Sequence, residues 1–318
     1  MDTPKNIRIY SGNAHPQLSR DIADYLGISL GRVNLERFPD GEIWVQFEEN
    51  VRRSDVFLIQ PTCAPVNENL MELLIMIDAA RRASAARITA VLPYYGYARQ
   101  DRKDRPRVPI TSKLVANLLV SAGVDRIITM DLHAQQIQGF FDIPVDHLYA
   151  RPVLVPYLKQ LIGDNGVVVA PDSGSTKMAM AYGDMLSAGF AVVTKRRINA
   201  TTVASSHLVG DVKDRICVIT DDMTSTAGTL CAAARILKEN GAAKVYAAVS
   251  HCLLSGIGKE KLLNTPEIEQ LITTDAVPNI DTLGGKIRTV SVAPLLGEAI
   301  RRIHEGKSVS PLFYTAGH

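Results

Sequence analysis

Residues 218–229, VITDDMTSTAGT, join an apolar run to two adjacent carboxylates, Asp221 and Asp222, and then to a string of small polar residues. Ser225, Thr226, Ala227, Gly228 and Thr229 are small enough to let backbone N–H groups close on an anion where a helix begins. Carboxylates beside such an anion repel it unless they accept hydrogen bonds from hydroxyl groups or share a metal. The two halves together fit a sugar phosphate, its phosphate on the small residues and its hydroxyls on Asp221 and Asp222. A helix N-cap with adjacent surface acids is the alternative.

These residues need elements to position them. Short β-branched runs, DVFLIQ, RITAVLPYY, RIITMDLH, VVVAPD, FAVVTK, RICVITDD and KVYAAVSH, alternate with longer Ala/Leu-rich segments of helical period. The alternation predicts an α/β protein with mostly parallel sheets. RICVIT reads as a buried strand, TLCAAARILKENG as an amphipathic helix ended by Gly241, and residues 223–228 as the turn between them. Ligands in such sheets sit beyond the carboxyl ends of the strands. His133 of MDLHAQ and Asp172 of VVVAPDSGS fall at such ends too. The runs form two sets around FFDIPVDHLYARP, which reads as a connection bracketed by Pro144 and Pro152. Two similar α/β halves, 1–148 and 149–318, are expected. The C-terminal VSVAPLLGEAIRRIHEGKSVSPLF reads as a strand, a helix from about Pro294 to near Gly306, and a short tail.

Composition sets outer limits. The chain has 318 residues, 46% of them hydrophobic, enough for two domains with their own cores. Lys and Arg number 35 against 33 Asp and Glu, so no global field draws the chain to nucleic acid or to an acidic membrane. The start, MDTPKNIRIY, lacks the pattern of a signal peptide, and the apolar runs are shorter than a membrane span, which predicts a cytoplasmic protein. Cys63, Cys217, Cys231 and Cys252 are far apart, show no C-x-x-C pairing and read as reduced core thiols with no zinc site. EGKSVS contains G-K-S, but Arg301 stands where a phosphate-binding P-loop needs glycine.

The acidic pair followed by a D-T-A/G-G-T type loop resembles the ribose 5-phosphate loop of phosphoribosyltransferases and of ribose-phosphate pyrophosphokinases. RFPDGEIWVQ (37–46), NLMELLIMIDAARRASAARITAVLPYYGYARQDRK (69–103), TMDLHAQQIQGFFDIPVDHL (129–148), KRR (195–197) and SVSPLF (308–313) choose the second. In that order, over nearly the whole chain, they resemble the bacterial-type, class I form of that family. The resemblance implies two phosphoribosyltransferase-like (Rossmann-like) domains. It also implies transfer of the diphosphoryl group of ATP to the 1-hydroxyl of ribose 5-phosphate, giving 5-phosphoribosyl 1-diphosphate and AMP for nucleotide, histidine, tryptophan and NAD biosynthesis.

Residue by residue, Lys195 and Arg197 match the family's catalytic pair, on a segment, KRRINATTVASSHLVGDV, whose composition suits a mobile loop. Taken alone, KRR reads as a solvated strand end. Phe38, Asp40, Gly41 and Glu42 match the ATP loop, with Phe38 as an apolar face for adenine and Asp40 and Glu42 as acceptors for purine N–H, although FPDGE is also a simple hairpin turn. Arg99 and Gln100 match further nucleotide contacts. His133 and Asp172 match the magnesium side, and Asp172 is the better direct ligand because Mg²⁺ prefers oxygen. Asp221, Asp222 and residues 225–229 match the ribose 5-phosphate site. Ser308 and Ser310 match a segment at which phosphate activates and ADP inhibits. His147 and His251 match no catalytic position and read as structural. Mg²⁺, ATP as co-substrate and phosphate as activator are implied. So is a homo-oligomer, a hexamer built from dimers, with the FPDGE loop acting across a subunit boundary.

Two positions depart from the pattern. Ser225 stands where the loop carries Asp, removing a charge from the sugar site, and Ser175 stands where the magnesium loop has its second Gly, which predicts a stiffer or more crowded loop after Asp172. The rival reading is a non-catalytic homologue that assembles with an active synthetase and regulates it. Retention of Lys195, Arg197, His133, Asp172, Asp221 and FPDGE together argues against it. A phosphoribosyltransferase acting on a base fits less well, since such chains are usually single domains without an ATP loop.

Overall fold

Strands whose residues are buried on both faces alternate with helices that cover them. The elements in chain order are β1 (Ile7–Ser11), α1 (Pro16–Leu26), β2 (Val33–Arg37), β3 (Ile43–Phe47), β4 (Asp55–Ile59), α2 (Val66–Arg82), β5 (Arg87–Leu92), α3 (Thr111–Ala122), β6 (Arg126–Met130), β7 (Val145–Leu148), α4 (Arg151–Ile162), β8 (Gly166–Ala170), α5 (Thr176–Leu186), β9 (Gly189–Arg197), β10 (Val203–Val209), β11 (Ile216–Thr224), α6 (Gly228–Glu239), β12 (Lys244–Cys252), α7 (Gly256–Leu263), β13 (Leu271–Thr274), β14 (Ile287–Val290) and α8 (Ala293–His304). The computed structural model describes residues 6–197, 203–278 and 282–313, and of residues 195–197 and 203–206 the backbone alone. The architecture is α/β with mostly parallel sheets, as the alternation predicts.

The chain divides into two units. One runs to Tyr149 and takes in Ala276–Pro278 and the segment from Val292 that carries α8; the other holds Ala150–Asp275 and the residues leading to Ser291. The first unit is built on a parallel sheet in the order β1-β4-β5-β6-β7, with β2 and β3 as a separate antiparallel hairpin. Every residue of β4 is buried, the mark of a strand covered on both faces. Leu73, Met76 and Ile77 of α2 and Val115 and Leu119 of α3 pack with Val56, Leu58, Ile88, Leu92 and Ile127 of the sheet into one core.

Helix α8 packs on α1 in the first unit, although the sequence reading places it in the second half. A charged junction pins it there. Asp55 and Arg87 face each other across β4 and β5. Arg87 Nε donates to Asp55 Oδ1 at 2.8 Å and Nη2 to Oδ2 at 2.5 Å, while His304 Nδ1 lies 2.9 Å from Oδ2. Arg87 Nη2 also donates to the Ile303 carbonyl at 3.1 Å, satisfying an acceptor in the last turn of α8.

The segment read as a connection, FFDIPVDHLYARP, contains β7, which extends the sheet beside β6. Its middle residues are polar yet buried, Asp146 paired with Arg126 at 2.6 Å and His147 turned inward, so the apolar run that announces a strand is missing. At the C-terminus the last strand, β14, ends at Val290, before most of the VSV segment.

The second unit holds a sheet in the order β10-β9-β8-β11-β12-β13-β14, parallel except that β10 runs antiparallel to β9. Leu230, Ala234 and Leu237 of α6 pack on Val167, Val169, Ile219 and Val245 of the sheet. The chain leaves β8 for β9 on one side and later adds β12, β13 and β14 on the other, so the winding reverses between β8 and β11. The segment expected as a mobile loop is paired strand over 195–197 and 203–209, with a register shift between Val203 and Ser205, and its residues 198–202 lie outside the described residues. All four cysteines are buried thiols. No helix among the described residues is long and apolar enough to cross a membrane.

The Asp55 junction yields a stability prediction. Asp55 is fully buried, so Arg87→Met removes most of the compensation of its charge and should lower stability by about 3 kcal/mol, read as a lower urea midpoint.

Candidate active site

Where winding reverses in a parallel sheet, neighbouring connections diverge to opposite faces and leave a crevice at the carboxyl ends of the strands. Here that crevice lies beyond β8 and β11, which are hydrogen-bonded neighbours. Asp172 follows β8 by two residues. Asp221 and Asp222 lie within the last residues of β11, which continues through Thr224, so the turn expected over 223–228 contracts to Ser225–Ala227. Adjacent residues of a strand leave opposite faces. The two carboxylates leave the strand on different sides yet both border its end, close enough for the charge of Asp222 to act on Asp221.

Asp221 faces the Asp172 loop. Ser175 Oγ lies 2.8 Å from Asp221 Oδ1 and 3.3 Å from Asp172 Oδ1, a single hydroxyl between two carboxylates. Asp172 Oδ1 also accepts the backbone N–H groups of Gly174 at 2.9 Å and Ser175 at 3.2 Å, which curls the loop around it. The side chain expected to crowd this loop thus ties it to β11. Burial, followed by the charge of Asp222, pushes the Asp221 carboxyl up to about 7; Asp172 adds to the rise, and the Ser175 hydroxyl and the Asp222 N–H oppose it. A cation or a set of sugar hydroxyls would relieve this concentration of negative charge.

The turn beyond the carboxylates leads into α6, whose first N–H groups have no partners within the helix. Ala227 adopts φ 53°, a left-handed conformation, immediately before Gly228. The turn is braced from the next connection: Ser255 N donates to the Ser225 carbonyl at 3.0 Å, and Ser255 also caps α7 by accepting the Gly258 N–H at 3.2 Å. A Cβ on Gly258 would stand 2.5 Å from that same carbonyl, so this helix turn can approach only as glycine. Ser255 and Gly258 escaped the sequence reading, although the small residues of SGIG directly after β12 are their signal.

Thus Asp172, Asp221, Asp222 and residues 225–229 gather at one crevice of the second unit. Lys195 and Arg197 lie on β9, which adjoins β8, opposite Ser206 and Val203 of β10; the directions of their side chains fall outside the described residues. The first unit carries the other candidates. Phe38, Asp40, Gly41 and Glu42 form the exposed tip of the β2–β3 hairpin, closed by Phe38 N–H donating to the Glu42 carbonyl at 2.8 Å and by Gly41 at φ 94°. Phe38 leaves half its surface exposed, an apolar ring held out on a turn. Arg99, Gln100 and His133 are exposed beyond the carboxyl ends of β5 and β6, and Gln100 Oε1 accepts the Thr111 hydroxyl at 2.5 Å at the start of α3. Ser308 and Ser310 are exposed on the segment after α8, their hydroxyls 3.1 Å apart. Among the described residues, no three His, Cys, Asp or Glu side chains form a group able to hold a metal ion by themselves.

Comparison with known proteins bears on the family. The model of the N-terminal domain of ribose phosphate pyrophosphokinase matches residues 7–123, and that of the phosphoribosyl synthetase-associated domain matches residues 197–314. The chain is 51% identical to ribose-phosphate pyrophosphokinase A of Dictyostelium discoideum, covering 96% of this chain and 98% of that one. It is 53% identical to the ribose-phosphate pyrophosphokinase of Chlorobaculum tepidum, covering 98% and 96%. The crystal structure of phosphoribosylpyrophosphate synthetase from Mycobacterium smegmatis superposes with a TM-score of 0.88 at 42% identity, over 95% of this chain and all of that one. With two domain models matched in order and half of its residues shared over nearly its full length, the chain belongs to the ribose-phosphate pyrophosphokinase family.

Proposed function

We propose that this chain transfers the β,γ-diphosphoryl group of ATP to the 1-hydroxyl of ribose 5-phosphate, releasing AMP and 5-phosphoribosyl 1-diphosphate. The observation that carries the reading is the crevice at the β8–β11 reversal, where strand-end carboxylates stand directly before a helix N-terminus built of small residues. The turn over 225–229 takes the 5-phosphate on backbone N–H groups. Asp221 and Asp222 accept hydrogen bonds from the ribose hydroxyls, and Ser225 leaves that pair without a third carboxylate in the loop.

The hydroxyl oxygen attacks the β-phosphorus of ATP as the bond to the α-phosphate oxygen breaks, a displacement in which charge builds on phosphoryl oxygens. Lys195 and Arg197 supply cations to those oxygens from the end of β9. Phe38 offers adenine an apolar face, Asp40 and Glu42 accept its N–H groups, and Arg99 and Gln100 contact the nucleotide, the Arg99 fork being suited to phosphate. The exposed hairpin tip suits action across a subunit boundary, as in a homo-oligomer such as a hexamer of dimers. Ser308 and Ser310 form a phosphate-responsive regulatory site. The chain works in the cytoplasm.

Asp172 would hold Mg²⁺ in the second unit, and His133 is the separate candidate for a metal-side role in the first. The donor set fits: Mg²⁺ uses one or two carboxylates with substrate phosphates in place of a complete protein cage, and Asp172 and Asp221 offer hard oxygens where negative charge is already crowded. When bound, Mg²⁺ supplies charge neutralisation at the transferring phosphoryl group.

Incubation with ATP, ribose 5-phosphate and Mg²⁺ tests the reading. AMP should form in step with 5-phosphoribosyl 1-diphosphate; ADP would mean a simple kinase, and a folded protein that binds ATP without turnover would mean the regulatory homologue. Lys195→Ala should lower kcat by about a hundredfold or more while leaving ribose 5-phosphate affinity nearly unchanged, and near-normal turnover would remove Lys195 from catalysis. A third outcome concerns pH. Because the folded chain holds the Asp221 proton up to about 7 and the unfolded chain releases it near the ordinary 3.8, stability falls as pH rises between those values. Asp221→Asn should therefore melt above the parent protein at pH 8, with the gap closing toward pH 4, as thermal scans would record.

A further inference from the structure

We infer that His147 is a positioning residue for His133, acting through the turn that follows β6; the consequence for catalysis rests on the role proposed above for His133. Strand β6 ends at Met130, and the next residue, Asp131, sits at φ 39°, in the left-handed region that residues with a side chain seldom occupy. Such a conformation persists where its surroundings over-determine it. Two consecutive backbone donors are fixed by the end of β7: Asp131 N–H donates to the Leu148 carbonyl at 3.0 Å, and Leu132 N–H donates to His147 Nε2 at 2.9 Å. The match follows from register, since Thr129 and Met130 pair with His147 and Leu148.

His147 is well placed to be rigid. It is 4% exposed, its ring lies 4.7 Å from that of Tyr149, and the Gln138 amide stands 3.2 Å from Nδ1. A backbone N–H can only donate, so Nε2 presents its lone pair to Leu132 and the proton of the neutral ring sits on Nδ1, while the Gln138 Nε2 beside it donates to the Gln135 carbonyl at 3.0 Å. Asp131 and Leu132 are buried, whereas His133 is exposed beyond the strand end. The direction in which His133 leaves the chain is thus set by two residues whose backbone is clamped to β7. Held this way, the histidine is pre-aimed before any ligand arrives.

The test compares His147→Leu, which fills the space without an acceptor, with His147→Gln, whose amide oxygen can reach the place of Nε2. In the full-length protein, His147→Leu should speed hydrogen exchange in a peptide spanning 130–134 and lower kcat about tenfold or more, with the KM for ribose 5-phosphate unchanged. His147→Gln should restore protection and most of the rate. Unchanged exchange in His147→Leu, faster exchange with an unaltered kcat, or a Gln variant as slow as the Leu variant would each overturn the inference. If His147→Leu does not fold, His147→Asn replaces it: its amide is one bond too short, so it should be slow where Gln is active, and equal behaviour of the two would overturn the inference. A parent protein without diphosphoryl transfer would refute the proposed function, and the exchange comparison would still decide whether His147 holds the turn.

Discussion

Carboxylates crowded at the ends of two parallel strands are the constraint around which the second unit is arranged. Asp221 is drawn out of water beside Asp222 and within one hydroxyl of Asp172, so its charge is disfavoured and its proton held to about 7. Such an arrangement is unfavourable for the empty fold and becomes favourable when hydroxyl donors or a cation enter. Everything around it resists relaxation. β11 is paired on both sides, with β8 and β12, and the Asp172 loop is curled by two N–H groups on one carboxylate oxygen. The crevice is consequently a concentration of negative charge held in place by the surrounding sheet.

The first unit solves a related problem with buried polar residues. Asp55 joins β4 to β5 through Arg87 and to α8 through His304, and the Arg126–Asp146 pair does the same for β6 and β7. His147, next along β7, spends its acceptor on the backbone of the turn that presents His133. In each case a polar side chain in the sheet fixes register or direction where an apolar one would supply packing alone. The C-terminal helix is thereby returned to a unit from which it is remote in sequence.

Much of the site was legible because its chemistry is local. Asp221, Asp222 and the small residues after them are contiguous, and a carboxyl end of a strand followed by a helix start can be read from apolar period and residue size. The β7 strand was not legible, since VDHL hides its period behind Asp146 and His147, and their burial depends on partners 20 and 15 residues away. Ser175 was noticed as a departure, but its hydroxyl bridge to Asp221 spans 46 residues and exists only because β8 and β11 are neighbours. The strand pairing over 195–197 and 203–209 was not legible for a similar reason: polar, small residues do not reveal a strand that pairs at a sheet edge.

The α/β class, the family and the candidate residues for a substrate site follow from short-range patterns and from the order of motifs along the chain. Tertiary structure alone decided where the winding reverses, which strand-end carboxylate shares a hydroxyl with which loop, and which buried histidine holds the turn that carries an exposed one. The physical reason is that strand order and side-chain direction are set by burial and pairing between segments far apart in the chain. No local period encodes them.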